Sequence, residues 1–133
     1  MYYESTRGGL KSILSAEAIK SGIAPDGGLF VPDKTVKISL DRIEAMIGLN
    51  YRERAVEILK DFLSDYTIEE INECVNGAYT AEKFGSSDIA PLHRLNDNVS
   101  ILELWHGPTC AFKDMALQIL PHFLVKAVKK TGE

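Results

Sequence analysis

Cysteine is scarce in this chain. Two residues, Cys74 and Cys110, stand among 133, and they form no Cys-x-x-Cys pair. The three histidines are isolated from one another as well. The ligand spacing of a zinc site is therefore missing, and no metal is expected. Two lone cysteines fit a reducing compartment, so a cytoplasmic location is expected; a disulfide between them is the alternative. The first twenty residues carry Glu4, Arg7, Lys11, Glu17 and Lys20, which leaves no room for the apolar core of a signal peptide. Long hydrophobic runs are lacking too. The longest uncharged stretch near the C-terminus, Met115 to Val125, contains Gln118, Pro121 and His122 and is too short and too polar to span a bilayer, so no membrane association is expected. Positive charge is in deficit: the net charge is −4, and Lys and Arg are scattered rather than gathered in a stripe, which argues against a nucleic-acid partner. Neither Gly8-Gly9 nor Gly27-Gly28 has G-x-G-x-x-G spacing or a following Lys-Ser/Thr pair, so both read as turns rather than phosphate cradles. No internal repeat or low-complexity segment is present. What remains, 45% hydrophobic and 26% charged, is an ordinary globular composition with length enough for one modest domain or the front of a larger one.

The local signals alternate between short strands and helices. Tyr2 to Ser5 reads as a strand ended by Gly8-Gly9. Ser15 is placed to cap a helix over 16–21 that stops at Gly22. Pro25-Asp26-Gly27-Gly28 has turn chemistry and leads into a strand, Leu29 to Val31, ended by Pro32. Ser39 or Asp41 caps a helix from Leu40 to Ile47, with Leu40, Ile43 and Ile47 on its inward face. Asn50 with Glu53 has capping-box spacing and opens a helix to about Leu63; Thr67 with Glu70 opens another, carrying Ile68, Ile71, Val75 and Ala78. These helices read as scaffold. Gly85-Ser86-Ser87-Asp88 is a loop and a boundary. Leu92 to Leu95 and Val99 to Trp105, joined by Asn96-Asp97-Asn98, predict a β-hairpin. A helix then runs to about Lys130, kinked or split at Pro121, and closes with cations and a capping glycine in Lys129-Lys130-Thr131-Gly132-Glu133.

The chemistry concentrates in Leu102 to Gln118, LELWHGPTCAFKDMALQ. Lys113 stands at the mouth of the apolar helix, behind a loop of His106, Gly107, Pro108 and Thr109. Ala111, Phe112, Met115 and Ala116 surround it with apolar atoms. Desolvation disfavours the ammonium form, and the positive end of a helix acts in the same direction. A neutral amine is what a Schiff base with an aldehyde requires. The bland alternative is a snorkelling lysine with its head in water. His106 reads equally as a general base or substrate contact and as a structural histidine. Thr109 fits a helix cap better than a donor to a ligand phosphate. Asp114 reads as a first-turn anion favoured by the helix dipole. Arg7 has a choice between an anionic substrate group and a surface salt bridge.

The residues His106, Gly107, Pro108, Thr109, Ala111, Phe112, Lys113, Asp114, Ala116, Leu117 and Gln118 together resemble the cofactor-lysine segment of threonine synthases, a branch of the fold-type II pyridoxal phosphate enzymes. Tyr3 to Gly9, YESTRGG, is similar to the opening strand and turn of that family, and Ile23 to Pro32, IAPDGGLFVP, to its early glycine-rich turn. Trp105, Cys110 and Met115 depart from the family's Phe, Leu and Phe but stay apolar. The resemblance implies an α/β fold: an N-terminal helical subdomain with short strands over 1–84, then, over 85–133, the first strands and lysine helix of a fold-type II PLP domain. It implies a lyase that turns O-phosphohomoserine and water into threonine and phosphate with pyridoxal 5′-phosphate. Lys113 is the implied catalytic and cofactor-holding residue, Phe112 a cofactor contact, and His106 and Thr109 substrate contacts.

A protein of this resemblance should continue into a sheet with a phosphate-binding loop, so the chain is expected to be an N-terminal fragment, inactive alone. With its helix apolar on several faces, it is expected to self-associate through that helix or leave it disordered. Two rivals stand beside this reading. One is a different fold-type II lyase, against which Ala111 fills the serine position of the usual Ser-x-Lys. The other is a stand-alone interaction module, which a reading frame stopping at Glu133 would favour.

Overall fold

The computed structural model describes residues 1–132; Glu133, the last residue of the expected helix close, lies outside the described residues. The fold is mixed α/β. In chain order it comprises β1 (Tyr3–Ser5), α1 (Ser15–Ser21), β2 (Phe30–Pro32), α2 (Leu40–Ala45), α3 (Tyr51–Phe62), α4 (Ile68–Ala78), α5 (Ala81–Phe84), β3 (Leu92–Arg94), β4 (Ser100–Leu102), α6 (Asp114–Leu117) and α7 (Leu120–Lys130). The strands form two separate antiparallel pairs, β1 with β2 and β3 with β4.

Most helix starts follow the sequence chemistry. Asn50 and Thr67 both make complete capping boxes with Glu53 and Glu70, each satisfying amides that the helix leaves open. Ser39, not Asp41, caps α2. The first helix differs: Ser15 is its first residue and caps nothing. Asp65, fifty residues away in sequence, accepts from the Ser15 hydroxyl and from the Ala16 amide. A carboxylate at the positive end of a helix is the stronger cap.

The core gathers Val56, Leu63, Tyr66, Ile71, Cys74, Val75, Ala78, Tyr79 and Phe84 around Ile119, just before α7, and Phe123 and Ala127 within it. α7 packs chiefly against α1 and also against α4. A Cβ on Gly77 would lie 2.6 Å from the His122 ring, so glycine permits that approach. The face of α2 expected to point inward is a correction: Leu40 is 75% exposed, with Ile43 and Ile47 also exposed. α2 is anchored instead through Arg42, which pairs with Asp61 of α3 at 2.5 Å and donates to the Glu57 carbonyl.

Candidate functional site

The β3–β4 hairpin delivers the chain to the lysine loop. Its register pairs Leu92 with Leu102 and Arg94 with Ser100. The strand predicted to reach Trp105 stops at Leu102. Glu103 adds one last bond, its amide donating to the Pro91 carbonyl at 2.9 Å. Proline has no N–H to return, and the ladder ends there.

The loop then folds back on itself around Asp114. This carboxylate is fully buried. It accepts the Thr109 amide at 2.8 Å and the Thr109 hydroxyl at 3.0 Å. A Cβ on Gly107 would lie 2.4 Å from the Asp114 Cβ, so only glycine allows the loop backbone this close. Cys110 takes a left-handed backbone conformation, φ 58°, and its amide closes the turn on the Gly107 carbonyl at 3.0 Å. A non-glycine residue held there stores strain that the surrounding clasp must offset.

These contacts place the residues singled out in the sequence. Lys113 stands at the N-cap position of α6, next to Asp114. It is exposed, and its Nζ lies 5.8 Å from the Phe112 ring centroid. The apolar enclosure expected around Lys113 is not supplied by this segment, because Phe112 itself is 65% exposed. No carboxylate pairs with Lys113 among the described residues. Thr109 does not cap the helix in the expected manner; its hydroxyl proton is directed to Asp114. Asp114 does lie in the first helical turn, and its burial makes it the clasp of the loop as well. His106 sits on the same loop, 2.6 Å from the Glu103 carboxylate through Nε2. Glu103 escaped the sequence reading; its three-residue offset from His106 was the available signal.

Arg7 donates to the Asp26 carbonyl at 3.0 Å, and its charge lies close enough to act on the Asp26 carboxylate. Asp26 organises the glycine-rich turns. It accepts from Ser5, Gly9 and Gly28, and these bonds, the Ser5 hydroxyl foremost, hold its carboxyl below the ordinary range.

The helix after Lys113 is split, as Pro121 demands. α6 ends at Leu117, and α7 begins at Leu120 with proline in its first turn, where a missing amide is harmless. The far end closes on Gly132 at φ 80°. Among the described residues no helix is long and apolar enough to cross a membrane.

A lysine-bearing loop clasped to a short helix, behind a hairpin and a helical N-terminal core, defines a mixed α/β architecture. The family model described as threonine synthase N terminus matches residues 2–79, and the chain belongs to that family. Threonine synthase of Methylobacillus glycogenes is 36% identical over 140 residues, with all of this chain and 30% of the relative covered. The Pseudomonas aeruginosa threonine synthase is 38% identical over 137 residues, covering all of this chain and 28% of that protein. The PLP-bound threonine synthase from Brucella melitensis superposes with a TM-score of 0.91 at 34% identity, over 100% of this chain and 28% of that one. The chain thus spans less than a third of the relatives it matches.

Proposed function

We propose that this chain is the N-terminal portion of a threonine synthase in which Lys113 holds pyridoxal 5′-phosphate. The full-length protein, a carbon–oxygen lyase acting on phosphates, would convert O-phosphohomoserine and water to threonine and phosphate. The observation that carries this reading is the placement of Lys113: an amine without a carboxylate partner among the described residues, at a helix start fixed by the buried Asp114 clasp. The PLP-bound Brucella protein, which matches over the whole chain, supports it.

The residues present fit one end of the cofactor. An exposed, uncommitted amine beside an aromatic ring suits attachment to an aldehyde. Bound PLP supplies an electron sink for the substrate carbons. Around it, Lys113 would hold the cofactor's aldehyde carbon and, once the substrate amine has displaced it, carry protons at Nζ. Phe112 would flank the cofactor. His106, and Thr109 through its oxygen, would meet the substrate. On this reading residues 1–84 form the N-terminal domain and 85–133 begin the cofactor domain, whose remainder supplies the groups for the cofactor phosphate and ring nitrogen. The 133-residue chain alone would be inactive, and its site of action would be the cytoplasm.

Borohydride reduction of the cofactor-loaded full-length protein, followed by peptide mapping, tests the assignment. The label is expected on Lys113; a label on Lys11, Lys20 or any other lysine would overturn it. Titrating the 133-residue chain with PLP should give no saturable visible band beyond that of an exposed lysine.

A further inference from the structure

Glu103 and His106 form a pair that the lysine chemistry leaves unused. The Glu103 carboxylate lies 2.6 Å from His106 Nε2, and the two side chains are only 21% and 31% exposed. The Trp105 ring stacks on the imidazole at 5.7 Å and 29°. His106 Nδ1 has no hydrogen-bond partner among the described residues. The pair is held against the site by the loop itself. Gly107, the next residue, touches Asp114, the neighbour of Lys113, so the imidazole and the lysine flank one backbone contact. Across that contact the charged groups are Lys113 and Asp114; Glu103 alone bonds the ring.

An ionised carboxylate accepts and cannot donate. The ring nitrogen it faces therefore carries the proton, and in a neutral ring the other nitrogen is left as an acceptor. A carboxylate that fixes a histidine tautomer in this way prepares a general base. The reaction proposed above adds water. Its O–H bond must break, with oxygen joining the substrate carbon and the proton passing to an acceptor.

On that reading of the loop, we propose that Glu103 is a positioning residue: it fixes His106 in the Nε2–H form, and Nδ1 takes the proton of the attacking water.

The test uses the full-length protein labelled with 15N-histidine, studied by magic-angle-spinning NMR, with the His106 signals assigned by their loss in His106→Asn. The ring nitrogen shifts report which nitrogen carries the proton. The expected result is a proton on Nε2 alone in the parent and a shift of population toward Nδ1–H in Glu103→Gln, whose amide can donate as well as accept. A proton on Nδ1 in the parent, on both nitrogens, or an unchanged tautomer in Glu103→Gln would overturn the proposal. In steady-state assays Glu103→Gln should lower kcat on the order of 10- to 100-fold, part of what a positioned base contributes, with KM near the parent value and an unchanged melting midpoint. Full kcat in Glu103→Gln would also overturn it. The tautomer measurement needs neither cofactor nor turnover, so a lysine label elsewhere would sink the proposed function without touching this result.

Discussion

The Tyr79 hydroxyl donates to the Met115 carbonyl at 2.7 Å, joining the end of α4 to the helix that begins behind Lys113. The break between α6 and α7 creates the need for this bond. The Ile119 amide turns back to Ala116 rather than to Met115, and the tyrosine supplies the missing donor. Tyr79 is buried, with its ring edge-on to Tyr51 at 5.0 Å, and this burial pushes its hydroxyl well above the usual range and keeps it a donor. Tyr79→Phe keeps the ring and removes the bond. It should cost about 1–3 kcal/mol, the penalty for a carbonyl left unpaired. Urea unfolding checks this through a lower midpoint at unchanged slope.

Asp114 should govern the order of the lysine loop. Asp114→Ala removes the acceptor for both the amide and the hydroxyl of Thr109. A loss of about 1.5–3 kcal/mol is expected, in keeping with bonds to a charged group. Gly107→Ala should act through the same contact from the other side, since its Cβ would fall 2.4 Å from that of Asp114. Amide exchange over 107–114 should accelerate in both variants; unchanged exchange in both would show that the clasp does not order the loop.

Acid should loosen the β1–β2 pair and its glycine-rich turns before the core. The carboxyl of Asp26 is held below its ordinary 3.8, first by the Ser5 hydroxyl and then by the Gly28 amide. A group depressed in the folded state contributes stability that is present above the unfolded pKa and is lost as pH falls through the folded one. Stability should therefore decline as pH drops below about 4, the region of an unperturbed Asp, and Asp26→Asn should flatten that decline. An equal acid slope in parent and variant would refute the role.

The 133-residue chain should self-associate. One stripe, formed by Ile119 at the N-cap of α7 and by Phe123 and Ala127 within it, is buried. The remaining faces of the lysine segment and the hairpin are open: Phe112, Leu117, Leu120 and Val125 are exposed, as are Leu92, Leu102 and Trp105. Each large side chain left in water forgoes about 1.5–3 kcal/mol, and a patch of them marks a surface that something covers. Light scattering coupled to size exclusion should report a species heavier than a monomer. A compact monomer with strong amide protection over 112–128 would show that the N-terminal helices suffice.

Much of the fold and part of the site were legible in the residues alone because their causes are local. Asn50 with Glu53 and Thr67 with Glu70 start α3 and α4 within a single turn of chain. Pro121 splits the last helix by what its own nitrogen lacks, and Gly132 closes it by what its own backbone permits. The order His106, Gly107, Pro108, Thr109, then Lys113, marks a candidate site because a lysine loop at a helix start is itself a local device. The remainder waited on partners distant in sequence. Asp65 caps α1 from fifty residues away. The apolar face of α2 stays in water while Arg42, on the same helix, pairs with Asp61. Periodicity says which residues share a face and cannot say whether anything meets that face. Lys113 was singled out by its neighbours in sequence, yet its exposure is set by the packing around it, and among the described residues it is left exposed. Asp114 changed from a helix-end charge into a buried clasp only when Gly107 and Thr109 closed on it, because burial belongs to the assembled loop and to no residue by itself.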